Sequence, residues 1–301
     1  MADPAIVPDT EQRAIVAALP SIARDLVQLG RFDRPIGAWL LFWPGAWAIA
    51  LAGAPWNWKL LLLFAAGALV MRGAGCVYND IVDRNLDRKV ERTRSRPLAS
   101  GRLSLKLAWA FLAALCLVGL IVNLQLNLFA ELIAIASLAL VAAYPFMKRI
   151  TWWPQAWLGL VFSWAALVGW AAVRGRIDPP GLLLYAGSIF WVIGYDTIYA
   201  IQDIEDDALA GVKSSARALG RHARLGIGIC YSLAVLLWAA AIWAVRPQPL
   251  ALAALLPMAL HLSRQVLMLR TGDGRDALTK FRSNRFAGLL MFLACGVVGV
   301  A

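Results

Sequence analysis

Nine stretches of about twenty residues, each nearly free of charge, punctuate this chain and decide its fold class. They run over roughly 35–53, 59–78, 105–124, 127–146, 154–173, 181–201, 225–245, 249–269 and 284–301. About twenty apolar residues in a helix cross a hydrocarbon layer about 30 Å thick. Backbone N–H and C=O groups find no water there, so each stretch must bond internally as a helix. The expectation is an all-α polytopic membrane protein: a bundle of nine transmembrane helices. Hydrophobic residues make up 61% of the 301 residues and charged ones 16%, against about 45–50% and about 25% in soluble domains. Fourteen Trp and 24 Gly fit the same class, Trp at membrane interfaces and Gly at close helix crossings.

The net charge of +11 would suggest nucleic acid in a soluble protein. Here the bases sit in short loops on alternate sides of the apolar stretches. One side carries Arg24, Arg31 and Arg34, then Arg84 to Arg102, Lys148 and Arg149, Lys213 to Arg224, and Arg270 to Arg282. The other carries Lys59, Arg174, Arg176 and Arg246. The positive-inside bias places the first side, and the N-terminus, in the cytoplasm. Nucleic acid is therefore not expected as a partner, nor is a protein partner. Residues 11–30 read as an amphipathic helix on the cytoplasmic surface. The expected organisation is a cytoplasmic segment 1–30 followed by a single membrane domain over 31–301. Cys76, Cys116, Cys230 and Cys295 fall in apolar stretches, and His222 and His261 are far apart, so neither type has metal-ligand spacing. Asp3, Asp9 and Glu11 argue against a signal or transit peptide and point to a bacterial inner membrane.

Two acidic motifs stand out on the basic side. "NDIVDRNLD" opens at Asn79 and "QDIEDD" at Gln202, each following an even-numbered apolar stretch and each leading into a basic loop. Both begin carboxamide, Asp, Ile, any residue, Asp, an echo that points to duplication of a four-helix unit. Asp80, Asp83 and Asp87 share a face if the helix continues into the loop. Asp203 and Asp207 lie one turn apart, and Asp196 lies two turns before Asp203, deeper in the membrane. Clustered carboxylates repel one another unless a cation lies between them. Hard Mg²⁺, shared with substrate phosphates, is the usual answer. Two such clusters could clamp a diphosphate, with Arg88, Lys89, Arg92, Arg94 and Lys148 neutralising the remaining phosphate charge.

These residues resemble the UbiA superfamily of intramembrane aromatic prenyltransferases. "NDIVDRNLD" matches its Asn-Asp-x-x-Asp-x-x-x-Asp motif, and Tyr199, Ala200, Asp203 and Asp207 match its Tyr-Ala-x-x-Asp-x-x-x-Asp motif. "DRPIGAWLLFWP", "RTRSRPLASG", "YPFMKR" and "GVKSSARALG" are similar to its 4-hydroxybenzoate branch. The resemblance implies Mg²⁺ held by Asn79, Asp80, Asp83, Asp87, Asp203 and Asp207. It implies a polyprenyl diphosphate and 4-hydroxybenzoate as substrates, in ubiquinone biosynthesis. Asp80, Asp83 and Asp203 then serve ionisation of the diphosphate, and Asp196 acts on the phenol hydroxyl. Arg34, Arg72 and Tyr199 are candidates for the aromatic substrate. Another aromatic acceptor, of the homogentisate or dihydroxynaphthoate kind, is the nearest alternative. A cation transporter is a more distant one, disfavoured because the acids gather at one membrane edge.

Overall fold

The computed structural model describes Val7 and residues 10–91, 93–209 and 211–300, without the side chains of 206, 207 and 209. Every regular element among them is helical. In chain order these are α1 (Arg13–Ala17), α2 (Ser21–Leu29), α3 (Ile36–Leu51), α4 (Trp58–Asp87), α5 (Leu105–Asn123), α6 (Leu128–Ile150) and α7 (Pro154–Arg174). They continue with α8 (Pro179–Ile201), α9 (Ile204–Leu209), α10 (Ser215–Leu219), a 3₁₀ turn at Gly220–His222 and α11 (Ala223–Val245). The last three are α12 (Pro249–Ala253), α13 (Leu256–Leu267) and α14 (Gly274–Val300).

Eight helical stretches are long and apolar enough to cross a membrane, counting α10 with α11 and α12 with α13 as continuous spans. The stretch expected over 35–53 is the 16-residue α3, which at 1.5 Å per residue is about 24 Å long. The expected surface helix over 11–30 is two short helices, because Pro20 breaks it. Elsewhere the helices outrun the apolar pattern on the basic side. α4 continues to Asp87 rather than ending near 78, and α14 starts at Gly274 rather than 284. Apolarity stops where the hydrocarbon stops, whereas a helix can continue into water with charged residues. The expected acidic loop is thus, for the first motif, the end of a helix. α4 has 30 residues and is about 45 Å long, so its last turns project past the hydrocarbon layer.

Local chemistry fixes the boundaries. Ser104 accepts from Leu107 N (3.2 Å) to start α5, and Asn127 accepts from Ala130 N (3.0 Å) to start α6. Pro154 opens α7, and Gly175, at φ 67°, closes it in the left-handed region that glycine tolerates.

Two compact units emerge. The first comprises residues 1–39 and 65–125. Its core joins Leu29 of α2, Ala74 and Val77 of α4, Leu98 and Leu103 of the following loop, and Ala108 of α5. The second comprises residues 40–64 and 126–301. There α8 packs against α7, α11 and α14. Trp47, Trp191 and Trp238 are wholly buried, with ring centroids 4.9 Å (47–191) and 5.4 Å (47–238) apart. Trp47 Nε1 donates to Gly288 O (2.8 Å) and Trp191 Nε1 to Asn284 Oδ1 (2.9 Å), which satisfies two indoles where water is absent. Gln265 Oε1 accepts from Tyr231 OH (2.9 Å) and Asn284 Nδ2 (3.4 Å), tying α11, α13 and α14 together.

A close backbone approach in this unit is at Gly169 of α7. A Cβ there would lie 2.5 Å from Gly45 O and 3.2 Å from the Ala48 side chain. Small residues permit such crossings in membranes. Gly169→Leu should lower the thermal midpoint of the detergent-solubilised protein, a loss of about 1–3 kcal/mol typical of overpacking. A midpoint equal to that of the wild type would refute the close-packing argument.

Candidate active site

The first motif lies on the terminal turns of α4, all within the first unit. Because the helix is unbroken, positions 80, 83 and 87 fall on one face, as their spacing predicts. That face is turned inward: Asp80, Asp83 and Asp87 are 1%, 0% and 6% exposed, whereas Asn79 is half-buried. Carboxylates so buried need opposing charge or hydrogen bonds to remain ionised.

Two arginines supply the charge for Asp80 and Asp87. Arg31 Nη2 donates to both oxygens of Asp80, at 2.8 and 3.0 Å. Arg96 Nη1 donates to Asp80 Oδ1 at 3.3 Å and to Asp87 Oδ2 at 2.9 Å. Burial works against the charge on Arg31, but Asp80, Cys76 and Asp33 together outweigh it and raise the guanidinium pKa above its ordinary value. Arg31 therefore stays protonated at any working pH. Both arginines were visible in the sequence only as two bases among many. Arg31 lies 49 residues from Asp80 and Arg96 lies 16, so no local spacing rule links them. The loop after α4 brings Arg96 back by folding under it. Pro97, Leu98 and Ala99 are buried, and Thr93 Oγ1 donates to Asp87 O at 2.9 Å.

The bases expected to bind diphosphate are arranged differently. Arg88 is exposed, and its Nε donates to Ala99 O at 3.0 Å, so it serves the loop fold. Lys89 is exposed, and Arg94 is exposed and paired with Glu91 at 3.1 Å. Arg92 lies outside the described residues. Lys148 belongs to the second unit, where its carbonyl accepts from Lys213 N at 3.2 Å. Of the aromatic-substrate candidates, Arg34 pairs with buried Asp33 at 3.1 Å. Arg72 lies within α4, its guanidinium against Gly37 and its Nη1 donating to Cys76 Sγ.

The second motif is built otherwise, within the second unit. α8 ends at Ile201, and Asp203, 7% exposed, stands in the turn before α9. The echo between the motifs in sequence is thus not an echo in backbone, continuous in one and broken in the other. The side chain of Asp207 lies outside the described residues. Asp196 is half-buried in the last two turns of α8, and Tyr199 stacks on Phe281 with centroids 4.7 Å apart. The loop leading on from the motif is anchored in several places. Thr197 and Ser215 hydroxyls meet at 2.7 Å, Ser215 N donates to Gln155 Oε1 (3.0 Å), and Arg217 lies 5.4 Å over the Trp152 ring.

The first motif suits a hard divalent cation by its donors. Its buried face offers carboxylate oxygens, the ligands that Mg²⁺ prefers. One cationic nitrogen, Arg96 Nη1, already contacts both Asp80 and Asp87, so the two carboxylates can share a single positive centre. Among the described residues, no three His, Cys, Asp or Glu groups converge as ligands of one ion.

The UbiA prenyltransferase family model matches residues 41–296. The chain is 44% identical over 287 residues to "4-hydroxybenzoate polyprenyltransferase, mitochondrial" of Drosophila melanogaster, covering 94% of this chain and 73% of that protein. It is 43% identical to the same-named protein of Rattus norvegicus, covering 93% and 76%. In structure it is similar to a UbiA homolog from Aeropyrum pernix K1, with a TM-score of 0.72, 28% identity and coverage of 86% and 97%. It also shares the fold of a UbiA homolog from Archaeoglobus fulgidus bound to GPP and Mg²⁺, with a TM-score of 0.68 and 17% identity, covering 92% and 99%.

The Arg96 bridge makes a stability prediction. Arg96→Ala withdraws a charged partner from two buried carboxylates and should cost about 1–3 kcal/mol. Arg96→Ala combined with Asp87→Asn should recover part of that loss, because the orphaned charge is gone. Thermal unfolding of the wild type, of Asp87→Asn alone and of these two variants checks this, and strictly additive losses would refute a shared bridge.

Proposed function

The chain belongs to the UbiA prenyltransferase family, and from that premise we propose that it transfers a polyprenyl group from a polyprenyl diphosphate to 4-hydroxybenzoate. The reading rests foremost on 43–44% identity, over more than nine-tenths of the chain, to proteins named for that reaction. The buried, arginine-paired carboxylates of the first motif are the site chemistry the reaction needs. The product belongs to ubiquinone biosynthesis. The chain is an integral membrane enzyme. We read residues 31–301 as its membrane domain and the short α3 as a ninth span, accommodated by local thinning of the bilayer. The basic side, with both motifs and the N-terminus, is the cytoplasmic or matrix side. The curated relatives are mitochondrial, which does not support the bacterial inner membrane expected from the first 30 residues.

In the proposed chemistry the allylic C–O bond of the polyprenyl diphosphate breaks and diphosphate leaves. A C–C bond forms at the ring carbon ortho to the hydroxyl, and that carbon loses its proton. Asn79, Asp80, Asp83 and Asp87 in one motif, and Asp203 and Asp207 in the other, would hold Mg²⁺. When bound, Mg²⁺ supplies Lewis-acid stabilisation of the departing diphosphate charge. Asp80, Asp83 and Asp203 also keep the site oriented for that departure. Arg88, Lys89, Arg92, Arg94 and Lys148 contribute positive charge around the diphosphate, and Arg96 belongs with them because it stands directly on the motif. Asp196, half-buried near the end of α8, accepts a hydrogen bond or proton from the phenol hydroxyl and so enriches the ring. Tyr199 lies one turn further along and, with Arg34 and Arg72, completes the residues assigned to the aromatic substrate. The surrounding helices exclude water that would quench an allylic cation. Membrane lipid is the medium of the isoprenoid tail.

The test is direct. Purified protein with geranyl diphosphate and labelled 4-hydroxybenzoate should form prenylated product only with Mg²⁺. Asp80→Ala and Asp203→Ala should each lower the rate at least about a hundredfold, the scale seen when one electrostatic stabiliser is removed. Wild-type rates in either variant, or in excess EDTA, would sink the proposal.

A further inference from the structure

The C-terminus of α2 carries an unusual exchange of residues. Phe32 N donates to Val27 O (3.0 Å) and Arg31 N to Gln28 O (3.2 Å), the pairing that closes a helix by turning the residue after its cap left-handed. Glycine suits that place, and a glycine is adjacent. Yet Gly30 sits at the cap with φ −77°, and Arg31 takes the left-handed turn at φ 59°. Among the described residues Arg31 is the one non-glycine with positive φ. Gly30 cannot be exchanged for a larger residue, because a Cβ there would meet the Phe32 ring at 2.4 Å. Arg31 has no such backbone excuse, since any side chain at that φ carries a steric penalty. The position tolerates that strain for what its side chain does.

The side chain does two things. Nη1 donates to Gln28 O at 2.7 Å, capping the negative end of α2. Nη2 grips both oxygens of Asp80. The guanidinium is 11% exposed, so solvent screens this contact little. Arg31 and Arg96 thus set two positive charges against Asp80 and Asp87 before any ligand is considered. A bare divalent cation must compete with Arg31 for Asp80 and enters beside a like charge. A diphosphate arriving with the cation changes this. It adds negative charge, and it offers Nη2 of the guanidinium replacement anionic oxygens.

We propose that Arg31 couples the two ligands of the first motif: by holding Asp80 it makes binding of a divalent cation conditional on a diphosphate. This rests on the metal-and-diphosphate reading of the motif given above. Coupling between ligands is reciprocal, so the cation must raise diphosphate affinity by the same factor.

The experiment uses the full chain in detergent, Mn²⁺ as the paramagnetic probe, and geranyl diphosphate without acceptor. Free Mn²⁺ is read by electron paramagnetic resonance. Wild-type protein should bind Mn²⁺ weakly alone and much more tightly with geranyl diphosphate. In Arg31→Gly, which suits the left-handed backbone and should keep its thermal midpoint, bare Mn²⁺ should bind about tenfold tighter and the enhancement by geranyl diphosphate should shrink in proportion. Arg31→Lys keeps the charge without the fork and should fall between. If Arg31 merely caps α2, Arg31→Gly will match the wild type in both affinities, which overturns the proposal. Weaker bare binding in Arg31→Gly overturns it as well, since Arg31 would then be helping the cation. Should Arg31→Gly not fold, Arg31→Lys decides, because wild-type affinities there are incompatible with a role for the fork. Wild-type protein that binds no Mn²⁺ under either condition, like an Asp80→Asn control, refutes the metal reading itself, a failure distinct from loss of coupling alone.

Discussion

Backbone groups cannot go unpaired in hydrocarbon, and this constraint organises the rest of the molecule. It forces the membrane-crossing stretches into helices and pushes polar chemistry to their ends. The first motif continues one of those helices and does not lie in a loop. A loop at the membrane edge would leave its carboxylates free to repel one another and to wander. An unbroken α4 carries Asp80, Asp83 and Asp87 outward on one rigid face, aligned by periodicity alone. The second unit shows the same constraint in a neutral form. Its Trp47, Trp191 and Asn284 side chains spend their donors and acceptors on one another and on Gly288 O.

Rigid alignment creates an electrostatic difficulty, since three carboxylates on one buried face repel one another. The structure answers it with arginines from two directions, Arg31 from the end of the surface helix α2 and Arg96 from the loop that folds back beneath α4. Arginine suits this role better than lysine. Its fork reaches two acceptors at fixed geometry, and its charge survives burial. Arg102 extends the same logic outward, with Nε on Asp25 of α2 at 2.9 Å and Nη1 on Ser95 O at 3.0 Å. α2 is fastened within the first unit through buried Asp25 and Gln28 as well as through Leu29 of its core, while Ile22 is exposed.

The sequence made legible what depends on period and composition. The apolar stretches gave the spans, and the spacing of 80, 83 and 87 gave the shared face. It was silent on what depends on chain return. Arg88, Lys89 and Arg94 are near the motif in sequence and exposed, with Arg88 donating to Ala99 O and Arg94 paired with Glu91. Arg96 reaches back because Pro97, Leu98 and Ala99 bury themselves and reverse the chain. In a loop where positive-inside bias already puts many bases, composition cannot say which base turns inward. Arg31 was hidden for a second reason. Its partner is 49 residues away, and the strained backbone that singles it out has no sequence signature beyond a glycine one place too early.

The two motifs read alike for five residues and are built differently, and this bears on their chemistry. The first holds its carboxylates on a continuous helix, already opposed by guanidinium groups. The second places Asp203 in a turn that breaks the helix, where backbone geometry is less constrained by period. Its surroundings are fixed by neutral contacts, Thr197 on Ser215 and Ser215 on Gln155, and by Arg217 over Trp152. A carboxylate on a helix face is positioned by the whole helix, and moving it means moving the helix. A carboxylate in a turn can adjust by a few backbone torsions. The first motif is thus the one whose carboxylates are fixed by a helix and opposed by charge, and the second the one whose carboxylate stands in a turn.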